Sequence, residues 1–329
     1  NFYGVIDTLK ALQDLAAAHR SKFNYPVIGI TGSNGKTIVK EWLYQLLVPE
    51  SNIVRSPKSY NSQIGVPVSV WEMNEENDLA IFEAGVSKAG EMENLARIIQ
   101  PTIGILTNIG EAHNAGFQNT NEKIKEKLKL FEGVDLFIYS DKYLGQYHGE
   151  LPGKNKFTWN IGGQANLDVF DDEVLEERFQ FLRARYNGKD VQAMIPFTDQ
   201  ASIENAIICW ASLLALGYEP EEADKRLEKL IPVGMRLELK NGINNCSVID
   251  DSYSLDLSSL AIALDFLKQQ NQHQRRTLIL SDIPGTDSEA VYGQVRNLLE
   301  NKSVDRLIAI GEHISKYAVD YPFETECFS

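Results

Sequence analysis

Residues 28–37 read IGITGSNGKT, an apolar run that halts at a glycine-rich turn and resumes with Lys36-Thr37 at the head of a helical pattern. Glycines let successive backbone N–H groups face one concavity, and the following helix adds its dipole. Lys36 then reaches the terminal phosphates and the Thr37 hydroxyl can ligate magnesium. Gly32, Ser33, Asn34 and Gly35 are the candidate phosphate cradle. The longer form of this motif wants glycine at position 30, where the chain has Ile30. The tighter G-x-x-G-K-T form is intact, and a strand, a phosphate loop and a helix in succession open an α/β domain.

Outward from the loop, strand and helix patterns alternate. Residues 5–20 space their apolar positions as a helix, and 27–30, 79–82, 103–106 and 134–139 are short buried strands. Segments 36–47, 91–99 and 121–131 are helices between them. Such alternation predicts a doubly wound, mostly parallel sheet with right-handed crossovers. Residues 155–195 break the rhythm and predict a hairpin turning at Asn187-Gly188. Helices resume at 201–216 and 221–230. Near Pro232-Val233-Gly234 we place a boundary, followed by strands at 247–249, 277–280 and 306–310 of a second, truncated Rossmann-like α/β domain. The expected organisation is a linker helix over 1–22, a central nucleotide-binding domain over 23–232 and a carboxyl-terminal domain, incomplete, over 233–329.

Composition narrows the function. The 43% hydrophobic and 24% charged content is that of a soluble globular protein. Lys and Arg total 32 against 46 Asp and Glu, a formal net charge of -14, which argues against a nucleic-acid partner. No apolar run approaches the roughly 18 residues of a membrane span, and Asp7, Lys10 and Asp14 stand where a signal peptide would be apolar, so a cytoplasmic location is expected. Cys209, Cys246 and Cys327 are scattered and have neither disulfide nor zinc spacing.

Ligands of open parallel sheets bind at the carboxyl ends of strands. Glu83 and Asn108, just past the strands at 79–82 and 103–106, therefore belong on the edge that carries the phosphate loop, where a carboxylate can hold magnesium. His113 follows in the loop EAHNAGF, a lone histidine that spacing alone leaves open between ligand and bystander. Helix 121–131 carries Lys123, Lys125, Lys127 and Lys129. Ile124, Leu128 and Phe131 define its apolar stripe, Lys125 and Lys129 point away, and Lys127 falls on the flank. A lysine held against a core loses charge and becomes nucleophilic, or it snorkels to water. Both outcomes stay open for Lys127.

Together TGSNGKT (31–37), YNSQIGVP (60–67), EAGVSKAGEM (83–92), TNIGEAHNAGF (107–117), KLKLF (127–131), SIENA (202–206), PVGMRLE (232–238) and IDDSY (249–253) resemble the Mur ligase family, in family order over most of the chain. The resemblance is strongest to the member that joins D-alanyl-D-alanine to UDP-N-acetylmuramoyl-tripeptide in peptidoglycan synthesis. It implies an ATP-dependent, ADP-forming ligase with two magnesium ions. Lys36 and Thr37 would serve the γ-phosphate and magnesium, Glu83 and His113 would ligate magnesium, and Asn61 would lie beside the phosphates. Lys127 matches the lysine that the family carbamylates, which supports the second ion. Catalysis would thus rest on Lys36, Lys127 and His113. Asn205, Arg236 and Asp251 would hold the nucleotide.

Departures from the family pattern are confined to a few places. The Asn pair survives as Asn61-Ser62, the His-Asn before the Asn205 helix is Ala201-Ser202, and the stretch expected as DDSYNANP is DDSYSLDL. Nothing corresponds to the amino-terminal UDP-sugar domain of family members, so the chain is expected to be a fragment with further domains in a longer polypeptide. Two other readings remain at this point, a folylpolyglutamate-synthetase-like ligase and a catalytically silent ATP-binding regulatory module.

Overall fold

The computed structural model describes residues 4–110, 116–147, 149–175, 179–234, 236–253, 255–269, 273, 275–284, 286–302 and 304–328. They form two compact units, Asn1–Ile231 and Pro232–Ser329.

The first unit runs α1 (Thr8–Arg20), β1 (Val27–Thr31), α2 (Lys36–Leu47), β2 (Ile53–Arg55), α3 (Gly65–Trp71), β3 (Leu79–Glu83), α4 (Met92–Ile99), β4 (Ile103–Leu106) and α5 (Thr120–Leu128). It continues through β5 (Leu136–Ser140), α6 (Asp141–Leu144), β6 (Asn155–Ile161), β7 (Leu167–Leu175), β8 (Phe179–Tyr186), β9 (Lys189–Ile195), α7 (Gln200–Ala215) and α8 (Pro220–Leu227). Among the described residues these strands make one sheet in the order β2-β3-β1-β4-β5-β6-β7-β8-β9, parallel from β2 to β7 and antiparallel through β8 and β9. Every residue of β1, β3 and β4 is buried, as a parallel sheet covered on both faces requires. After β1 the chain passes through β2 and β3 on one side and then crosses to β4 on the other. The crevice at the carboxyl end of β1 is therefore the topological switch point, where an open α/β sheet takes its ligand.

The 155–195 segment holds more than the expected hairpin. β8 and β9 do turn at Asn187-Gly188, with φ of 48° and 74°, the two positive values a tight hairpin turn needs. β6 and β7 then join that hairpin to the parallel sheet. The single helix predicted over 121–131 is divided. α5 ends at Leu128, and a 3-10 turn over Lys129–Phe131 tightens the backbone. This turn lays the buried Leu130 and Phe131 on the sheet, Phe131 against Phe137 with ring centroids 4.6 Å apart.

In the second unit β10 (Glu238–Asn241) and β11 (Ser247–Asp250) form an antiparallel pair, and α9 (Leu257–Gln269), β12 (Thr277–Ser281), α10 (Glu289–Asn301), β13 (Arg306–Ile310), α11 (Glu312–Ala318) and β14 (Glu324–Phe328) form a three-stranded parallel layer with helices. The strand expected at 247–249 thus pairs with β10 and not with β12 or β13. Only Gly242–Cys246 separate it from β10, a link closed by Gly242 N–H donating to Cys246 O at 2.8 Å. That is too short for a parallel crossover. No helix among the described residues is long and apolar enough to cross a membrane.

Phe131 approaches β4 where Gly104 leaves room, for a Cβ there would meet the ring carbon Cδ1 at 2.4 Å. Gly104→Ala is expected to lower the unfolding free energy by about 1–3 kcal/mol through overpacking, measured by urea denaturation. No loss of stability would show that the 3-10 turn does not lock α5 onto the sheet.

Candidate functional site

The phosphate loop is laced to the loop that leaves β4. Ser33 N–H donates to Asn108 O at 2.9 Å and Asn34 N–H to Asn108 Oδ1 at 2.8 Å, while Thr107 Oγ1 donates to Asn34 O at 2.6 Å. Asn108 therefore shapes the cradle formed by Gly32, Ser33, Asn34 and Gly35. Gly35 caps α2 in the left-handed region, φ 79°, and a Cβ there would lie 2.2 Å from Asn205 Oδ1. Asn205 is buried in α7, whose first turn is fixed by Asp199 accepting from Ser202 N–H at 2.8 Å. Helix α7 thus holds the Asn205 amide directly against the loop's last glycine.

Two lysines meet the phosphate loop and a third meets the loop that leaves β4. Lys36 Nζ donates to Gly32 O at 3.0 Å and Ser33 O at 2.9 Å. Lys127 Nζ donates to Gly32 O at 2.9 Å, and Lys123 Nζ donates to Gly110 O. Lys127 is 2% exposed, so it does not snorkel. Burial holds its amine well below the ordinary lysine value of 10.5, with Lys36 and then Lys123 adding repulsion. Lys125 is exposed, as the helical spacing predicts, whereas Lys123 is buried. Position 123 is one turn before 127 on the same face, and that i, i+4 relation was the available signal.

Glu83 is the fully buried last residue of β3 and pairs with Ile30 of β1. Its Oε2 accepts from Thr37 Oγ1 at 3.1 Å and from Asn61 Nδ2 at 3.3 Å. Ser59 Oγ lies 2.7 Å from Thr37 Oγ1, and Lys40 Nζ lies 3.1 Å from Glu83 Oε1. Sequence reasoning missed Ser59 and Lys40. Nothing in the spacing marks Ser59. Lys40 sits three and seven residues before Leu43 and Leu47, inside the apolar stripe of α2, and that placement was legible. His113 lies outside the described residues, and among those described no group of three or more His, Cys, Asp or Glu side chains is placed to hold a metal. A carboxylate and a hydroxyl beside a phosphate cradle nonetheless fit magnesium, which keeps several waters and binds through one or two carboxylates plus substrate phosphates.

Arg236 and Asp251 belong to the second unit. The Arg236 guanidinium lies over the Tyr253 ring, 4.1 Å from its centroid, and Asp251 Oδ1 accepts from Leu237 N–H at 3.2 Å. Burial pushes the Asp251 carboxyl up to about 6, against the pull of that N–H and of Arg236, whereas Lys240 holds neighbouring Asp250 down at about 2.

Lys127 generates a pH dependence with a definite sign. Between its lowered folded value and the ordinary 10.5, the unfolded chain carries a proton that the folded chain has released, so stability rises with pH across that window. Lys127→Met is expected to raise stability near neutral pH and to flatten the rise, measured by urea unfolding at neutral pH and roughly two units higher. A slope equal to that of the parent chain would exclude Lys127 as its source.

Comparison with known proteins gives the family and the fold. The Mur ligase middle domain family matches residues 30–213. The UDP-N-acetylmuramoyl-tripeptide--D-alanyl-D-alanine ligase of Bacillus subtilis is 29% identical over 314 residues, 94% of this chain and 67% of that enzyme. The enzyme of the same name from Synechocystis is 43% identical over 301 residues, 89% of this chain and 60% of that one. The chain thus spans about two thirds or less of these two relatives. In fold it is similar to MurF from Acinetobacter baumannii, with a TM-score of 0.84 at 24% identity over 99% of this chain and 72% of that one. MurF ligase from Thermotoga maritima, solved in complex with ADP, gives a TM-score of 0.81 at 18% identity over 99% and 76% of the two chains. With the family match covering more than half of its length, and the phosphate loop, Glu83 and Lys127 on one edge of a doubly wound sheet, the chain belongs to the Mur ligase family.

Proposed function

We propose that the chain forms the nucleotide-binding and ligase portion of an enzyme that couples ATP hydrolysis to joining D-alanyl-D-alanine to UDP-N-acetylmuramoyl-tripeptide, a step in making peptidoglycan precursors. A cytoplasmic location goes with this reading. The observation that carries it is Lys127, a buried amine driven toward neutrality against Gly32 O of the phosphate loop, the same loop that leads into Thr37 and its contact with Glu83.

The peptide carboxylate attacks the γ-phosphorus of ATP, giving an acyl phosphate and ADP. The D-alanyl-D-alanine amine then attacks the acyl carbon, the amide bond forms, and phosphate leaves as the amine sheds its proton. Lys36 neutralises charge on the transferring oxygens, while the loop N–H groups and the α2 dipole hold the polyphosphate in line. Thr37, Glu83 and His113 are the groups we assign to magnesium, which supplies further charge neutralisation at the phosphates. A neutral Lys127 amine adds to CO2, forming an N–C bond and releasing a proton, and the resulting carbamate supplies the negative charge needed for a second ion. Asn61 and Asn205 flank the phosphates and the loop. Arg236, with Tyr253 beneath its guanidinium, and Asp251 are the further groups we assign to the nucleotide.

The test is phosphate release. It is expected only when ATP, UDP-N-acetylmuramoyl-tripeptide and D-alanyl-D-alanine are all present. Lys127→Ala should lower kcat by about 10²–10³-fold, the scale of losing one preorganised charged group, and excess bicarbonate should restore nothing. Parental turnover from that variant removes the carbamate from the mechanism. Nucleotide binding without phosphate release, when both substrates are supplied, would mark a silent module.

A further inference from the structure

Lys40 is the one charged side chain on the sheet-facing stripe of α2, and it is 0% exposed, as is Glu83. Its Nζ is ringed by acceptors: Glu83 Oε1 at 3.1 Å, Glu41 Oε1 at 3.0 Å, Ser56 O at 2.6 Å and Lys58 O. An ion pair this deep is an inefficient way to stabilise a fold, since a well-packed apolar pair of similar volume does as well or better. Its arrangement points to another use. Lys40 holds Oε1 of Glu83 at 3.1 Å, Asn61 Nδ2 holds Oε2 at 3.3 Å, and Thr37 Oγ1 reaches both oxygens, Oε2 at 3.1 Å and Oε1 at 3.3 Å. The same amine grips the carbonyls of Ser56 and Lys58, so it also fixes the turn that delivers Ser59 to Thr37 and Asn61 to Glu83.

Resting on the reading of Glu83 as a magnesium ligand, we propose that Lys40 is a positioning residue that confines Glu83 to ligation through one oxygen and so favours a magnesium-sized ion over calcium. Magnesium demands compact octahedral geometry, whereas calcium accepts a carboxylate through both oxygens. With Oε1 held by an ammonium, ligation through both oxygens has to compete with that ion pair, whereas ligation through Oε2 does not.

The experiment measures binding and not turnover. Mn2+, which takes the octahedral oxygen sites of magnesium, is titrated into the chain with ADP present and followed by electron paramagnetic resonance. Ca2+ is measured by displacement. Both ions carry two charges, so the loss of Lys40's positive charge acts on both alike and cancels in the ratio of affinities. A loosened fold likewise weakens both. In Lys40→Met and Lys40→Gln the preference for Mn2+ over Ca2+ is expected to fall about tenfold, the scale on which partners of a ligating side chain act. An unchanged ratio overturns the inference while leaving the metal site standing. Failure of the parent chain to bind Mn2+ overturns the metal-site reading and this inference with it. Should neither variant fold, crystals of the parent chain with ADP and Mn2+ decide: the ion on Oε2 alone, with Lys40 still on Oε1, supports the assignment, and ligation through both oxygens overturns it.

Discussion

A buried amine that meets a backbone carbonyl and two other lysines governs this edge of the sheet. Lys127 reaches Gly32 O from α5, Lys36 reaches the same oxygen from α2, and Lys123 holds Gly110 O across the loop. Removing an ammonium from water costs several kcal/mol unless an opposite charge compensates it, and among the described residues the charged side chains acting on Lys127, namely Lys36 and Lys123, repel it. Two remedies exist: the amine releases its proton, or negative charge arrives. A phosphate cradle supplies the second, and a released proton leaves a nucleophile where a carbamate would be made. The electrostatic imbalance and the proposed chemistry are therefore one property of the site.

Topology places that imbalance. β1 lies between β3 and β4, so the three loops leaving those strands share one end. The register that sets Ile30 beside Glu83 and Thr31 beside Leu106 delivers the carboxylate and the Thr107–Gly110 loop to either side of the cradle. A one-residue slip of β3 would turn Glu83 to the opposite face of the sheet and leave Thr37 and Asn61 without it. Nothing in the fold could then restore the constellation by side-chain rotation alone.

Much of this was legible in the sequence. The buried strands of a parallel sheet are continuous apolar runs, and β1, β3 and β4 appear where such runs occur. The doubly wound class followed from their alternation with helices. The shorter pieces were not legible. β2 has three residues with Val54 alone buried, and it is a strand because β3 offers it a ladder. α3 carries Pro67 in its first turn, where a missing N–H does no harm, yet Pro67 together with Gly65 makes the segment read as a turn. The 3-10 end of α5 answers to the depth of Phe131 in the core, a tertiary demand that helical spacing does not encode. Within the site, loop and strand-end residues came from motif and topology; the burial of Lys40 and Lys123 could be had from helical spacing, but their partners, like that of Ser59, depend on which acceptors the folded chain brings to them.

Lys40 and Lys127 make that last point sharply. Both are lysines on helices that pack on the same sheet, and both are almost wholly removed from water. Spacing distinguishes neither from a core position. Their partners differ entirely: two carboxylates and two carbonyls surround Lys40, while Lys127 has one carbonyl and the repulsion of Lys36 and Lys123. The first set suits an ammonium held still as a strut for Glu83, and the second suits an amine available to react. Residue type and depth of burial are alike in the two cases. The chemical role is assigned by the charges that the strand order gathers around each nitrogen, which is why the site is read more securely from its neighbours than from its motif.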